Sequence, residues 1–207
     1  MLDRHLPLWL KLLFSLWMVI WVPAYWIYNG PANFLWVCDV ANFVILVGLW
    51  LESPLLLSSQ AVSVLLVQLM WALDFVGRLL TGRHWIGGTE YMFDTAQPIF
   101  ARSLSLFHLV IPVLLLWTVY RLGYHRRGWR LQTSICWVIL PASFFLVDPE
   151  KNLNWLWQPF GKPQTLFSPE VFLLVCMLAY PLVLYLPTHG LLSRWMRRRG
   201  GGLLPPG

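Results

Sequence analysis

Charge is scarce in this chain. Only 12% of its 207 residues are Asp, Glu, Lys or Arg, about half the share of an ordinary soluble domain, which excludes a water-facing globular surface. The three cysteines, Cys38, Cys136 and Cys176, all lie inside apolar stretches, so neither a disulfide framework nor a paired zinc spacing can be built from them. Internal repeats, a P-loop, a dinucleotide-binding glycine pattern and HExxH are all missing from the sequence, which leaves the common motif-bearing soluble chemistries without support. The apolar runs are continuous rather than alternating, and this excludes the strands of a membrane barrel.

What the chain has instead is hydrophobicity: 58% of residues are apolar or aromatic, including 14 Trp. Apolar stretches cover 6–28, 32–51, 54–77, 103–120, 131–147 and 171–190, each near the roughly 17–25 residues a spanning helix needs. The pattern predicts an all-α polytopic bundle of six transmembrane helices over 1–198, with a flexible tail over 199–207. The first stretch has an apolar core of about 20 residues with no small-x-small site before a soluble domain, so it reads as a retained helix, not a signal peptide.

Six spans put the amino terminus, the 52–53 turn, the 121–130 loop and the tail on one side. That side carries Arg4, Lys11, Arg121, Arg126, Arg127, Arg130, Arg194, Arg197, Arg198 and Arg199; the other carries Arg78, Arg83, Arg102, Lys151 and Lys162. The positive-inside rule therefore places both termini in the cytoplasm. The net charge of +6 follows from this asymmetry, so it does not call for nucleic acid as a partner. The basic "RWMRRRGGG" end is expected to rest against anionic lipid.

Polar residues inside the apolar runs are the informative exceptions. A carboxylate near mid-membrane costs about 2.5–3.5 kcal/mol on insertion scales, so each one marks a functional position needing a partner. In "CDVAN", Cys38 and Asp39 fall roughly 9–10 Å below the outer interface at 1.5 Å per residue. In "SLSLFHLVIP", His108 falls about 8–9 Å deep by the same rise. Asp74, in "MWALDFVGRLL", Asp148 and Asn152 reach the same outer layer, and the inner half is expected to hold almost no titratable or amide group. The sequence thus predicts a polar pocket open to the outer interface and closed below, suited to a lipid ester near the headgroups.

A Cys opposite a His is the minimum for acyl transfer, since the imidazole takes the thiol proton and returns it to the leaving group. A thiol buried among apolar side chains is inert without a positive charge or imidazole beside it, and His108 is the available supplier. Asp39, Asp74 or Asn152 could orient that histidine; depth alone does not choose among them. Asp74 could equally pair with Arg78, four residues on, and Asn42, four after Cys38, could serve a substrate or act as interhelical glue. His84, Glu90 and Asp94 match no metal spacing, and neither metal nor cofactor is expected. The loop that carries them, with Trp85, Tyr91, Met92 and Phe93, and the second outer loop, with Trp155, Trp157 and Phe160, read as interfacial flaps or anchors.

The Cys38 segment, the later His108, the basic "RLGYHRR" turn, the Asn-bearing outer loop and the closing "YLP" together resemble the layout of YwaF-like bacterial membrane proteins. Distant animal relatives of that family include a Cys-dependent phospholipid acyltransferase and Thr/His hydrolases of fatty acid esters. The resemblance implies a membrane-lipid substrate, a nucleophile at Cys38 and a histidine at His108. Beside it, Asp39 or Asp74 is the expected orienter, Asn42, Asn152 and Trp36 are expected to contribute to substrate binding, and a bacterial cytoplasmic (inner) membrane is the expected location. Two positions depart from it. Trp36 stands where a His often precedes the Cys, and Asp39 replaces the usual amide. Two other classes stay open: a non-enzymatic scaffold or partner subunit held by an interhelical polar network, and a small transporter or channel.

Overall fold

A computed structural model describes residues 5–199 and the backbone of 203–204. Arg4 and most of the 199–207 tail lie outside them. The described chain is all-helical apart from a two-residue parallel pairing of 124–125 with 203–204. The eight α-helices are α1 (Leu8–Asn29), α2 (Val37–Trp50), α3 (Pro54–Thr81), α4 (Ile99–Leu104), α5 (Phe107–Leu122), α6 (Gly128–Leu146), α7 (Pro169–Ala179) and α8 (Leu186–Arg198).

Four helical stretches are long and apolar enough to cross a membrane: 8–29, 54–81, 99–122 and 169–198. α2, with 14 residues, is apolar but shorter, and α6 runs 19 residues. Large apolar side chains lie exposed around the outside, such as Leu13, Val19 and Ile27 on α1, Val113 on α5 and Phe145 on α6. A soluble monomer does not expose an apolar surface so extensive, and helices that are apolar on every face belong in lipid.

α3 is the central post, packing along α2, α5 and α6. Its start is fixed by Ser53, whose side chain accepts the Leu56 N–H at 3.3 Å, with Pro54 in the first turn, where a missing N–H does no harm. Its end is fixed by Gly82 in the left-handed region at φ 72°. Close approach of α6 depends on Gly128, where a Cβ would sit 2.9 Å from the Ser58 backbone carbon. Against α1, α2 and α5 the core is aromatic: Trp21, fully buried, has Tyr25, Phe34, Phe43 and Phe107 rings within 4.6–5.9 Å.

Prolines shape the rest. Pro181 has no N–H for the Met177 carbonyl, which instead accepts the Trp137 indole N–H at 2.9 Å. Here the helix widens into a π turn over Tyr180–Tyr185, linking α7 to α8, the kind of interruption often found at functional sites.

Two breaks alter the geometry expected from the sequence. Residues 31–35 form a tight 3-10 turn after Gly30, so α2 begins only at Val37. The 103–120 stretch is likewise broken at Ser105 and Leu106. Cys38 and His108 are therefore each the second residue of their α-helix, His108 just after the break within the 99–122 stretch, and the depth count made from residue 32, which assumes unbroken α-helical rise, does not hold.

At one end of the bundle, Glu52 accepts from Lys11, from the Leu6 N–H at 3.2 Å and from His5, and Arg121 donates to the His5 carbonyl. The Lys11 hydrogen bond is the main reason the Glu52 carboxyl is held below its ordinary value. The opposite end carries the two long loops, 82–98 and 147–168.

Candidate functional site

A cavity of about 580 Å³ opens at the long-loop end. Its polar part is lined by Cys38, Asp39, His108, Asn33, Tyr91 and Ser105; its apolar part runs along α3 and the last helix, past Val64, Val67, Phe172, Ala179 and Leu184. The first turns of α2 and α5 thus deliver Cys38 and His108 to one chamber. They do so through α3, because each helix packs on α3 instead of forming an extended pair with the other.

His108 is oriented by its own turn. Its Nδ1–H donates to the Ser105 carbonyl at 2.8 Å, a bond that a carbonyl can only accept, so Nε2 is the bare nitrogen. Among the described residues Nε2 has no hydrogen-bond partner, and the ring lines the cavity. The imidazole stacks on Trp71 (centroids 4.7 Å, 13°) and Phe107 (4.1 Å, 23°), which fixes its plane. The Trp71 indole N–H donates to the Tyr91 hydroxyl at 3.1 Å, and that hydroxyl also interacts with the Ser105 side chain. Burial pushes the Tyr91 hydroxyl above its ordinary range, and the neighbouring Cys38 and Asp39 add to the effect.

The Cys38 thiol points to Asp39 Oδ1 at 3.9 Å; no hydrogen bond joins it to His108. Asp39 is 2% exposed, and its Oδ2 accepts from Asn33 Nδ2 at 2.7 Å. Both residues lie in the first turn of α2, where the helix dipole favours negative charge, although the Asp39 N–H is already taken by the Trp36 carbonyl. That turn is clamped by Asn154. Its Oδ1 accepts the Val37 N–H at 2.9 Å, and its Nδ2 donates to the Leu35 carbonyl at 2.8 Å and to Ser143 Oγ at 2.9 Å. Tyr180 in the π turn donates to the Asn154 carbonyl at 3.0 Å.

Of the sequence-predicted residues, Cys38, Asp39, His108 and Trp36 line the chamber, whereas Asp74, Asn42 and Asn152 are not among its lining residues. Asp74 neither reaches His108 nor pairs with Arg78. Its Oδ1 accepts three successive backbone N–H groups, Trp85 at 2.8 Å, Ile86 at 2.7 Å and Gly87 at 2.9 Å, while Oδ2 takes His84 Nδ1 at 2.9 Å and the Thr89 hydroxyl. It folds the loop that lends Ile86, Gly87, Gly88 and Tyr91 to the chamber wall. Asn42 donates to the Cys38 carbonyl at 3.2 Å, and its Oδ1 has no partner. Asn152 pins the second long loop, accepting from the Trp157 and Gln158 N–H groups and donating to the Gln158 carbonyl. The loops meet where Gly88 leaves room for Trp155: a Cβ there would lie 3.0 Å from the indole.

The expectation that the inner half lacks amide groups is overturned. α3 buries Ser58, Ser59, Gln60, Ser63 and Gln68. Gln60 Nε2 donates to Ser59 Oγ at 2.9 Å and to Gln132 Oε1 at 3.2 Å, and Gln132 Nε2 donates to the Tyr185 hydroxyl at 3.4 Å. These bonds join α3, α6 and the π turn, as interhelical hydrogen bonds do in membranes.

Asn154, Trp71 and Ser105 were missed from the sequence, and Tyr91 was read only as part of an interfacial flap. "NLNW" contains two asparagines, and its spacing does not say which one turns inward. Among the described residues no group of His, Cys, Asp and Glu is placed to hold a metal ion. Comparison of the chain with protein-family models, with curated proteins and with solved structures finds no match.

Proposed function

We propose that the chain is a six-helix integral membrane protein, in a bacterial cytoplasmic membrane with both termini inside, that transfers or hydrolyses acyl groups of a lipid at its outer-side chamber. One observation carries the reading: Cys38 and His108, whose Nδ1 is held by the Ser105 carbonyl, line the same cavity, polar at one end and apolar at the other. α2 and α6 complete the six spans. The basic end around Arg126, Arg127, Arg197 and Arg198 then lies at the cytoplasmic leaflet, against anionic lipid. The resemblance to YwaF-like proteins falls on the same Cys38 and His108.

In the first step His108 Nε2 takes the Cys38 thiol proton and the sulfur attacks the ester carbonyl carbon, forming a C–S bond. The developing oxyanion is placed beside the α2 first turn, whose helix dipole favours it, with the Tyr91 side chain in the same lining. Collapse breaks the ester C–O bond, and the leaving alcohol takes the proton from His108. A second alcohol, or water, then gives its proton to His108 and attacks the thioester, and the Cys38 thiol re-forms. The apolar arm along α3 and α7 takes the acyl chain.

Lipid extracts from cells carrying the chain, lacking it, or carrying Cys38→Ala test the reading. A lipid change present only with intact Cys38, together with labelling of Cys38 by a lipid electrophile that His108→Ala abolishes, is expected. Equal labelling in His108→Ala would remove the base, and an unchanged lipid profile with lowered thermal stability in both variants would leave a scaffold.

A further inference from the structure

Asp39 lacks what the other two buried or half-buried carboxylates have. Glu52 is met by Lys11 and His5, and Asp74 by His84 and three backbone N–H groups. Asp39 has only the Asn33 amide and the Cys38 thiol, and no ion pair among the described residues includes it. The chamber it lines contains no Lys or Arg. Lining the same space are the rings of Trp36, Tyr25 and Tyr91, and behind them extends the apolar arm.

A buried carboxylate without a cation, set among aromatic faces, is the constellation that receives an ammonium group: the carboxylate supplies the counter-charge and the rings supply cation–π attraction. Among the described residues the same lining has no Arg or Lys, the charged partner that would mark a phosphate site. We propose that the chamber selects an amphiphile of net positive charge, a long-chain lipid whose polar end carries an ammonium and no adjacent phosphate, with the cation on Asp39 and the chain in the apolar arm. The proposal rests on the lipid-chamber reading but not on chemistry at Cys38, and it concerns a residue that departs from the YwaF-like pattern.

The test is binding to the full chain in maltoside detergent, read by quenching of tryptophan fluorescence and by thermal shift. The probes are a long-chain amine, the alcohol and the carboxylic acid of the same chain length, and butylamine. The expected result is that the long-chain amine binds about tenfold or more tighter than the alcohol, with the acid weaker still and butylamine without effect. Asp39→Asn is expected to erase the preference of amine over alcohol, and Asp39→Glu to keep most of it. Equal binding of amine and alcohol by the unaltered chain overturns the proposal whether or not the variants fold. Preserved preference in Asp39→Asn overturns the assignment to Asp39, and competition by butylamine as effective as by the long-chain amine overturns the amphiphile. All three outcomes are read without turnover, so loss of the Cys38 chemistry leaves the test intact.

Discussion

Replacing Asp74 by Ala removes the one side chain around which residues 84–89 are wound. Five donors lose their acceptor, three of them consecutive backbone N–H groups on a single oxygen. Hydrogen bonds to a charged group are worth about 1.5–3 kcal/mol each, but Trp85 and Ile86 are not fully buried, so water recovers part of the sum and about 3–5 kcal/mol of local stability is lost. Asp74→Asn behaves differently: its carbonyl oxygen can still accept the three N–H groups and its NH₂ can donate to the Thr89 hydroxyl, so losing the charge costs about 1–2 kcal/mol. At about 1.4 kcal/mol per decade, hydrogen exchange of the Trp85, Ile86 and Gly87 amides should quicken by about two to three orders of magnitude in Asp74→Ala and about one in Asp74→Asn. Exchange in α3, α5 and α6 should change little, because the loss is confined to the loop. Unchanged exchange at those three amides in Asp74→Ala would refute the reasoning, as would an Asn variant as damaged as the Ala variant.

Gly88 sits at φ 98°, with Trp155 filling the space of the absent Cβ. Gly88→Ala should cost about 1–3 kcal/mol in strain and part the two outer loops, read as a lower melting temperature and faster reaction of Cys38 with a bulky thiol reagent. Asn154→Ala breaks the clamp on the α2 first turn; a loss of about 2–3 kcal/mol should lower the melting temperature by ~5–10 °C, measured by scanning calorimetry. Glu52 has a lowered folded-state pKa relative to the ordinary 4.5, so its contribution is complete above pH 4.5 and is lost as the pH falls through the lower folded value. The unaltered chain should therefore lose more melting temperature than Glu52→Gln on acidification from pH 5 to below 4.5; parallel curves would rule out this linkage.

The long apolar runs were legible because continuous hydrophobicity leaves few alternatives: 54–77 lies within α3, and the last run holds α7, the π turn and the start of α8. That Cys38 and His108 line one cavity does not follow from the depth count that paired them. The depth count assumed unbroken helices, whereas both residues reach the chamber because turns at 31–35 and 105–106 start new helices just before them. Rotation about a helix axis was not legible, and it decides which polar residue faces in. Asp74 and Asp39 look alike in sequence, yet one is spent on a loop and the other lines the cavity. Asn152 and Asn154 are two apart, and a left-handed φ at both sends one to its own loop and the other under α2. The glutamines of α3 and α6 escaped notice because neutral amides inside apolar runs carry no charge signal, although pairing them across helices fixes the bundle.

The π turn near the end of the chain has a consequence for how much the molecule can vary. Its backbone closes over five residues, Leu186 N–H to Pro181 carbonyl, so α8 is wound out of step with α7 by one residue. Excising a single residue between 181 and 184 would restore ordinary winding only by swinging one half about 100° relative to the other. Either Tyr180 would leave the Asn154 carbonyl above, or Tyr185 would leave Gln132 below. The surplus residue is what lets one helix hold on to both the outer clamp and the inner amide network, so length here is under tighter constraint than side-chain identity.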